Sequence, residues 1–143
     1  MPARAVLLLA PCLLVACQPV GANLQDPSPA PLPRRVMLAD VVAGVFAPSC
    51  STRSCHGALG GQGGLVLEGE GLRARLVEAT PSTKMAVDLG YGLVVPGRPD
   101  RSWLYLKMAG PPAGGGGVMP LGRAPDATQL ALVRAWIAEG AEP

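Results

Sequence analysis

Apolar residues recur at helical spacing twice along the chain, once just before Cys50 and Cys55 and once just before the C-terminus. Leu38, Val41, Val42, Val45 and Phe46 predict a first helix over about Met37–Phe46, which Pro48 is expected to stop. Leu130, Val133, Trp136 and Ile137 form the clearest apolar face. Asp126 with Gln129 three residues later fits a capping box, and Gly140 stands where a C-terminal cap belongs. Between these two helices the pattern is weaker. Leu72–Glu78 suits two turns of helix, and Asp100 is placed to cap a short helix from Arg101 to about Met108, ended by Gly110 and Pro111. Gly57–Gly64, Pro81–Pro96 and Gly114–Gly117 read as loop, with a short apolar run at Leu65–Leu67 and an extended stretch at Leu93–Val95. The expected fold class is mainly α, a few short helices joined by long Gly/Pro-rich loops.

Two segments of different character precede this domain. Residues 1–16 carry Arg4 and then an apolar run broken only by Pro11 and Cys12, the layout of a secretory signal too short to span a membrane. The run ends in Leu14-Val15-Ala16-Cys17, which resembles the lipobox of bacterial lipoproteins. That resemblance implies cleavage before Cys17, acylation of Cys17, and a periplasm-facing domain lipid-anchored to a membrane of the bacterial cell envelope. Gln18, where Asp can signal inner-membrane retention, tilts the expectation toward the outer membrane. An ordinary cleaved signal that leaves Cys17 free is the alternative. Residues 17–36 hold Pro19, Pro27, Pro29, Pro31 and Pro33, which favour an extended, semi-rigid tether. The domain is then expected over 37–143.

Composition sharpens the problem. Of 143 residues, 19 are Gly and 16 Pro, while aromatic residues make up 3%. The formal charge of +2 excludes a strongly basic nucleic-acid binder and a highly charged disordered chain. Loss of Arg4 with the leader leaves too little charge to steer a partner from a distance. No nucleic-acid partner is expected. A domain this poor in large side chains is expected to complete its core with a bulky apolar group, and to be partly unfolded without it.

The residues that carry chemistry are Cys50, Cys55 and His56, the last being the only histidine. Three plain readings are open for them: a small Cys50–Cys55 disulfide loop, a zinc site, or a surface histidine beside unrelated thiols. The zinc site counts badly, with three soft ligands where a closed structural site takes four. The stretch from Ser49 to Gly57 also resembles the haem attachment site of c-type cytochromes, C-x-x-C-H, with four residues between the cysteines in place of two. The resemblance implies that Cys50 and Cys55 bond the haem vinyl groups and that His56 is the proximal iron ligand. About sixty residues further on, Val118-Met119-Pro120-Leu121-Gly122 resembles the setting from which many small c-type cytochromes take a methionine as the second axial ligand. Met119 is thereby implied as the distal ligand; a loop-filling Met is the plain alternative. The other mature methionines, Met37, Met85 and Met108, suit core or surface roles. Arg98, Arg101, Lys107 and Trp103 are candidate propionate partners for which solvated surface positions are the plainer role.

The layout as a whole resembles the monohaem cytochrome c-like domains of the planctomycete type. Three stretches carry this: Cys50 to His56, Val94-Val95-Pro96-Gly97-Arg98-Pro99-Asp100-Arg101-Ser102, and Met119-Pro120 followed by the helix ending in Trp136-Ile137. It implies a small cytochrome c-like fold around one covalent haem c and one-electron transfer with redox partner proteins. No nucleophile, general base or substrate pocket points to an enzyme. Two rivals stand beside this reading. One is a haem-free structural or interaction lipoprotein with a Cys50–Cys55 disulfide. The other is a haem sensor or peroxidase-like protein in which Met119 leaves the iron open.

Overall fold

The computed structural model describes residues 31, 32 and 35–143; the signal at 1–16, Cys17 and most of the tether lie outside the described residues. The fold is mainly α. Its helices are α1 (Leu38–Val41), α2 (Leu72–Glu78), α3 (Lys84–Asp88), α4 (Trp103–Ala109) and α5 (Ala127–Ala138), with 3-10 turns at Gln62–Gly64 and Pro99–Arg101. The only β pairing among the described residues is a single parallel bridge between Gly92 and Ser102.

α1 with its continuation, α4 and the Pro99–Arg101 turn all lie against α5. Its start follows the expected chemistry. The Gln129 backbone N–H donates to Asp126 Oδ1 at 2.8 Å, satisfying one of the free donors of the first turn. The second half of the expected capping box is not made. Gln129 is buried, and its amide turns inward, donating from Nε2 to Ser49 Oγ at 2.8 Å and to the Gly44 carbonyl at 3.4 Å. Trp136 and Ile137 are fully buried, and Trp136 Nε1 donates to the Glu142 carbonyl at 2.7 Å.

The first helix differs from expectation at its end. The chain does not stop at Pro48: α1 runs on without a break as a π-helix over Val42–Cys50, with Pro48 inside it. In an α-helix the Pro48 ring would press on the carbonyl of Gly44, four residues back, and would leave that carbonyl without its donor. The wider π turn removes the clash, and Gln129 supplies a donor to Gly44. The helix therefore delivers Cys50 at its own end, where Ser51 N–H donates to the Phe46 carbonyl at 2.7 Å.

Two further elements depart from the sequence reading. Lys84–Asp88 forms a short helix inside a stretch read as loop, held by an exposed pair between Lys84 Nζ and Asp88 Oδ2 at 2.6 Å. Only Ala86 of its five residues is buried, so no apolar periodicity announced it. The fourth helix begins at Trp103, not Arg101, because Asp100 is engaged elsewhere: its carboxylate accepts from Arg98 Nε and Nη2 at 3.0 and 2.8 Å. Ser102 precedes the helix fully buried, its hydroxyl donating to the Arg98 carbonyl and accepting from Val95 N–H. Trp103 is 4% exposed, which corrects its reading as a surface residue.

The core joins Val41, Val45 and Phe46 to Leu72, Leu76, Leu104, Met108, Val133, Trp136 and Ile137. Packing begins at Val36, within the span assigned to the tether. Val36 is 1% exposed, and its N–H donates to Glu139 Oε2 at 2.9 Å. Leu38 N–H donates to the Glu142 carbonyl at 3.2 Å, so the start of the domain is tied to its end. No helix among the described residues is long and apolar enough to cross a membrane.

Gln129→Ala should destabilise the domain by about 0.5–1.5 kcal/mol, since it removes the amide that donates to Ser49 Oγ and to the Gly44 carbonyl. Urea unfolding of this variant against Arg134→Ala, an exposed change on the same helix, is the check. Equal midpoints would contradict the role given to the Gln129 amide.

Candidate functional site

Cys50 ends the π-helix and the chain folds back at once. The Thr52 carbonyl accepts from Cys55 N–H and from Gly57 N–H, each at 3.0 Å, so the residues between the cysteines close into a tight turn. His56 N–H then donates to the Cys50 carbonyl at 3.0 Å, returning the histidine beside the first cysteine. The loop is stitched to the next segment by Leu67 N–H donating to the His56 carbonyl at 2.8 Å and by Ser51 Oγ donating to the Leu67 carbonyl at 3.0 Å. Gly57 is required by this turn itself. A Cβ there would meet the carbonyl oxygens of Ser51 and Thr52 at 2.8 and 2.9 Å, so the glycine answers the loop's own backbone.

His56 is half-buried, and its Nδ1 lies 3.1 Å from the Leu65 carbonyl. A carbonyl can only accept, so this contact selects the tautomer with the proton on Nδ1 and leaves the lone pair on Nε2. The second cysteine is exposed, the first half-buried, and both thiols are free. Burial pushes the Cys50 thiol up to about 11, with the neighbouring Cys55 adding to the rise and Arg123 opposing it.

Met119 reaches the same region from the far side of the chain. Its N–H donates to the Lys107 carbonyl at 2.7 Å, and Lys107 Nζ donates in turn to the carbonyls of Gly115 and Gly117. Four residues after Met119, Arg123 Nη2 donates to Ser49 Oγ at 2.7 Å, linking the methionine loop to the residue before Cys50.

These residues surround one cavity of about 1120 Å³, lined by Cys50, Cys55, His56 and Met119 together. Its walls are largely apolar, with Phe46, Leu65, Leu67, Leu93, Leu104 and Met108 among them. Of the other methionines among the described residues, Met108 lines the cavity but is packed into the core at 5% exposure, while Met37 and Met85 do not line it. Lys107 and Trp103 line it too; Arg98 pairs with Asp100, and Arg101 lies over the Tyr91 ring, 4.9 Å from its centroid. Among the described residues no three His, Cys, Asp or Glu side chains are grouped as a metal site.

The sequence reading missed most of the apolar wall, Arg123, and the part that Lys107, weighed there only as a propionate partner, plays in holding a loop. Leu65 and Leu67 carried a signal, a short apolar run just after a Gly-rich loop. Lys107 and Arg123 carried none, because their partners are a carbonyl or hydroxyl of distant residues. No protein-family model, curated protein or solved structure matches the chain.

A rise from 9.0 to about 11 leaves Cys50 with about 100-fold less thiolate near pH 8 than an unperturbed thiol. In the folded chain, iodoacetamide should therefore modify exposed Cys55 well before Cys50. Peptide mass spectrometry of timed samples reads this directly. Similar rates for the two cysteines, with the chain still folded, would show that Cys50 is not buried as described.

Proposed function

We propose that the protein is a single-haem c-type cytochrome, with a small cytochrome c-like fold, that carries one electron at a time in the bacterial cell envelope. The observation that carries this reading is a cavity bordered at once by two free thiols, the only histidine and Met119. Its volume of about 1120 Å³ lies just above the range of about 300–1,000 Å³ usual for small-molecule and cofactor sites, which suits a large flat macrocycle. The donor set fits the same group: thiols for thioether links, an imidazole with its lone pair on Nε2, and a soft thioether.

Haem, when bound, supplies a ferric–ferrous couple. The chain's own residues do the rest. Cys50 and Cys55 would hold the porphyrin from the π-helix and the turn that follows it. His56 would bind the iron through Nε2, its ring orientation held by the Leu65 carbonyl. Met119 would offer its sulfur as the second ligand to the iron. Phe46, Leu65, Leu67, Leu93 and Leu104 keep water from the site, and this apolar wall disfavours the additional charge of the oxidised form. Met/His ligation raises the potential in the same direction. The protein acts as a carrier and not as an enzyme, exchanging electrons with redox partner proteins while a lipid on Cys17 keeps it at the membrane surface.

A haem stain on a denaturing gel, after envelope expression with cytochrome maturation proteins, tests covalent attachment. The wild type should stain, and Cys50→Ser with Cys55→Ser should not. A colourless wild type, made in cells that mature a control cytochrome, removes the electron-transfer reading and leaves a lipoprotein whose two thiols are free to pair.

Met119→Ala should abolish the methionine-to-iron charge-transfer band of the ferric spectrum and let the ferrous form bind carbon monoxide at neutral pH. Met108→Leu should leave both unchanged. A band that survives Met119→Ala and disappears in Met108→Leu would transfer the distal role to Met108. Carbon monoxide binding by the wild type would point instead to an open-site sensor or peroxidase-like protein.

A further inference from the structure

The segment that bears Met119 has little structure of its own. Residues Gly114–Gly117 are four consecutive glycines, the residue type that loses the most conformational freedom on ordering. The flanking side chains bury little: Val118 is 40% and Leu121 71% exposed. Something outside the loop has to hold it, and most of the holding comes from one residue of α4. The Lys107 carbonyl accepts the Met119 N–H at 2.7 Å, and the Lys107 ammonium donates to the Gly115 carbonyl at 3.0 Å and to the Gly117 carbonyl. Both ends of one side chain's reach, backbone and Nζ, thus grip the loop within four residues. Bonds from an ammonium to carbonyls are charge-assisted and stronger than neutral ones.

The arch is seated as well as tethered. A Cβ on Gly115 would stand 2.8 Å from Trp103 Cη2 and 2.8 Å from Pro111 Cβ, so the glycine backbone lies directly on the buried tryptophan of the same helix. Gly116 passes over the ammonium, a Cβ there falling 3.4 Å from Lys107 Nζ. With the carbonyl of Gly117 and the N–H of Met119 both fixed to Lys107, only Val118 lies between the two anchors. Beyond Met119, the loop is next held by Arg123 on Ser49.

We propose that Lys107 is the positioning residue for Met119: its ammonium fixes the Gly115–Gly117 arch and so holds the methionine at the cavity. Its consequence for iron ligation rests on the haem reading, whereas its consequence for the loop does not. Lys107→Leu keeps the aliphatic stem against the wall and removes the donors.

In the matured holoprotein, Lys107→Leu should keep the haem stain and the far-UV helix signal. It should lose the methionine-to-iron band and gain carbon monoxide binding by the ferrous form. Hydrogen exchange at the Met119 amide should become about tenfold faster or more, with the α5 amides unchanged. If the Leu variant does not fold, Lys107→Gln, whose shorter amide cannot span both carbonyls, takes its place with the same expectations. Wild-type exchange at Met119 together with an intact band in the folded variant overturns the proposal. If the wild type itself carries no haem, the haem reading fails, and the exchange comparison on the colourless chain still decides the role of Lys107.

Discussion

Pro48 takes from Gly44 the donor that an α-helix would have given it, and yet the helix runs past it to Cys50. The turn widens to a π-helix, and the buried Gln129 amide comes across from α5 to donate to Gly44 and to Ser49. A helix interrupted at Pro48 would have released the two residues before Cys50 into a loop. As it is, the first cysteine is carried on a helical element tied to α5. π-helical turns are uncommon and frequently mark functional sites, and here the mark falls on the residue that begins the cysteine segment.

The molecule keeps its apolar cluster and its cavity side by side. Trp136, Phe46, Ile137 and Val133 close the cluster around α1 and α5, and Leu67, Leu93, Leu104 and Met108 belong to both the cluster and the cavity wall. These shared residues couple the two: a group seated in the cavity would rest on the same side chains that α5 rests on. The few aromatic residues are placed where they do the most packing, with Trp136 and Phe46 fully buried and Trp103 under the glycine arch.

How much of this was legible in the sequence depended on how local its cause was. α5 was readable because its cap and its apolar face lie within twelve residues of one another. The cysteines and histidine were readable because the residue types and their adjacency carry the chemistry. The end of the first helix was not, since the effect of Pro48 depends on a side chain eighty-five positions from Gly44. Asp100 looked like a cap and instead pairs with Arg98, two residues away, a competition that spacing does not reveal. The sequence offered Lys107 only as a partner for an acidic group, because what it binds is backbone, and backbone acceptors have no letter in the sequence.

The tie between Val36 and Leu38 at one end of the packed domain and Glu139 and Glu142 at the other brings the two ends of that domain together, at residues that do not border the cavity. Ends that meet in this way can be joined and the chain reopened elsewhere, the usual condition for circular permutation. Mechanically, a pull arriving through Arg35 is taken up first by the carboxy-terminal segment and α5. A domain moored by its leading end would hang from that corner, leaving the cysteine turn and the methionine loop out of the line of force.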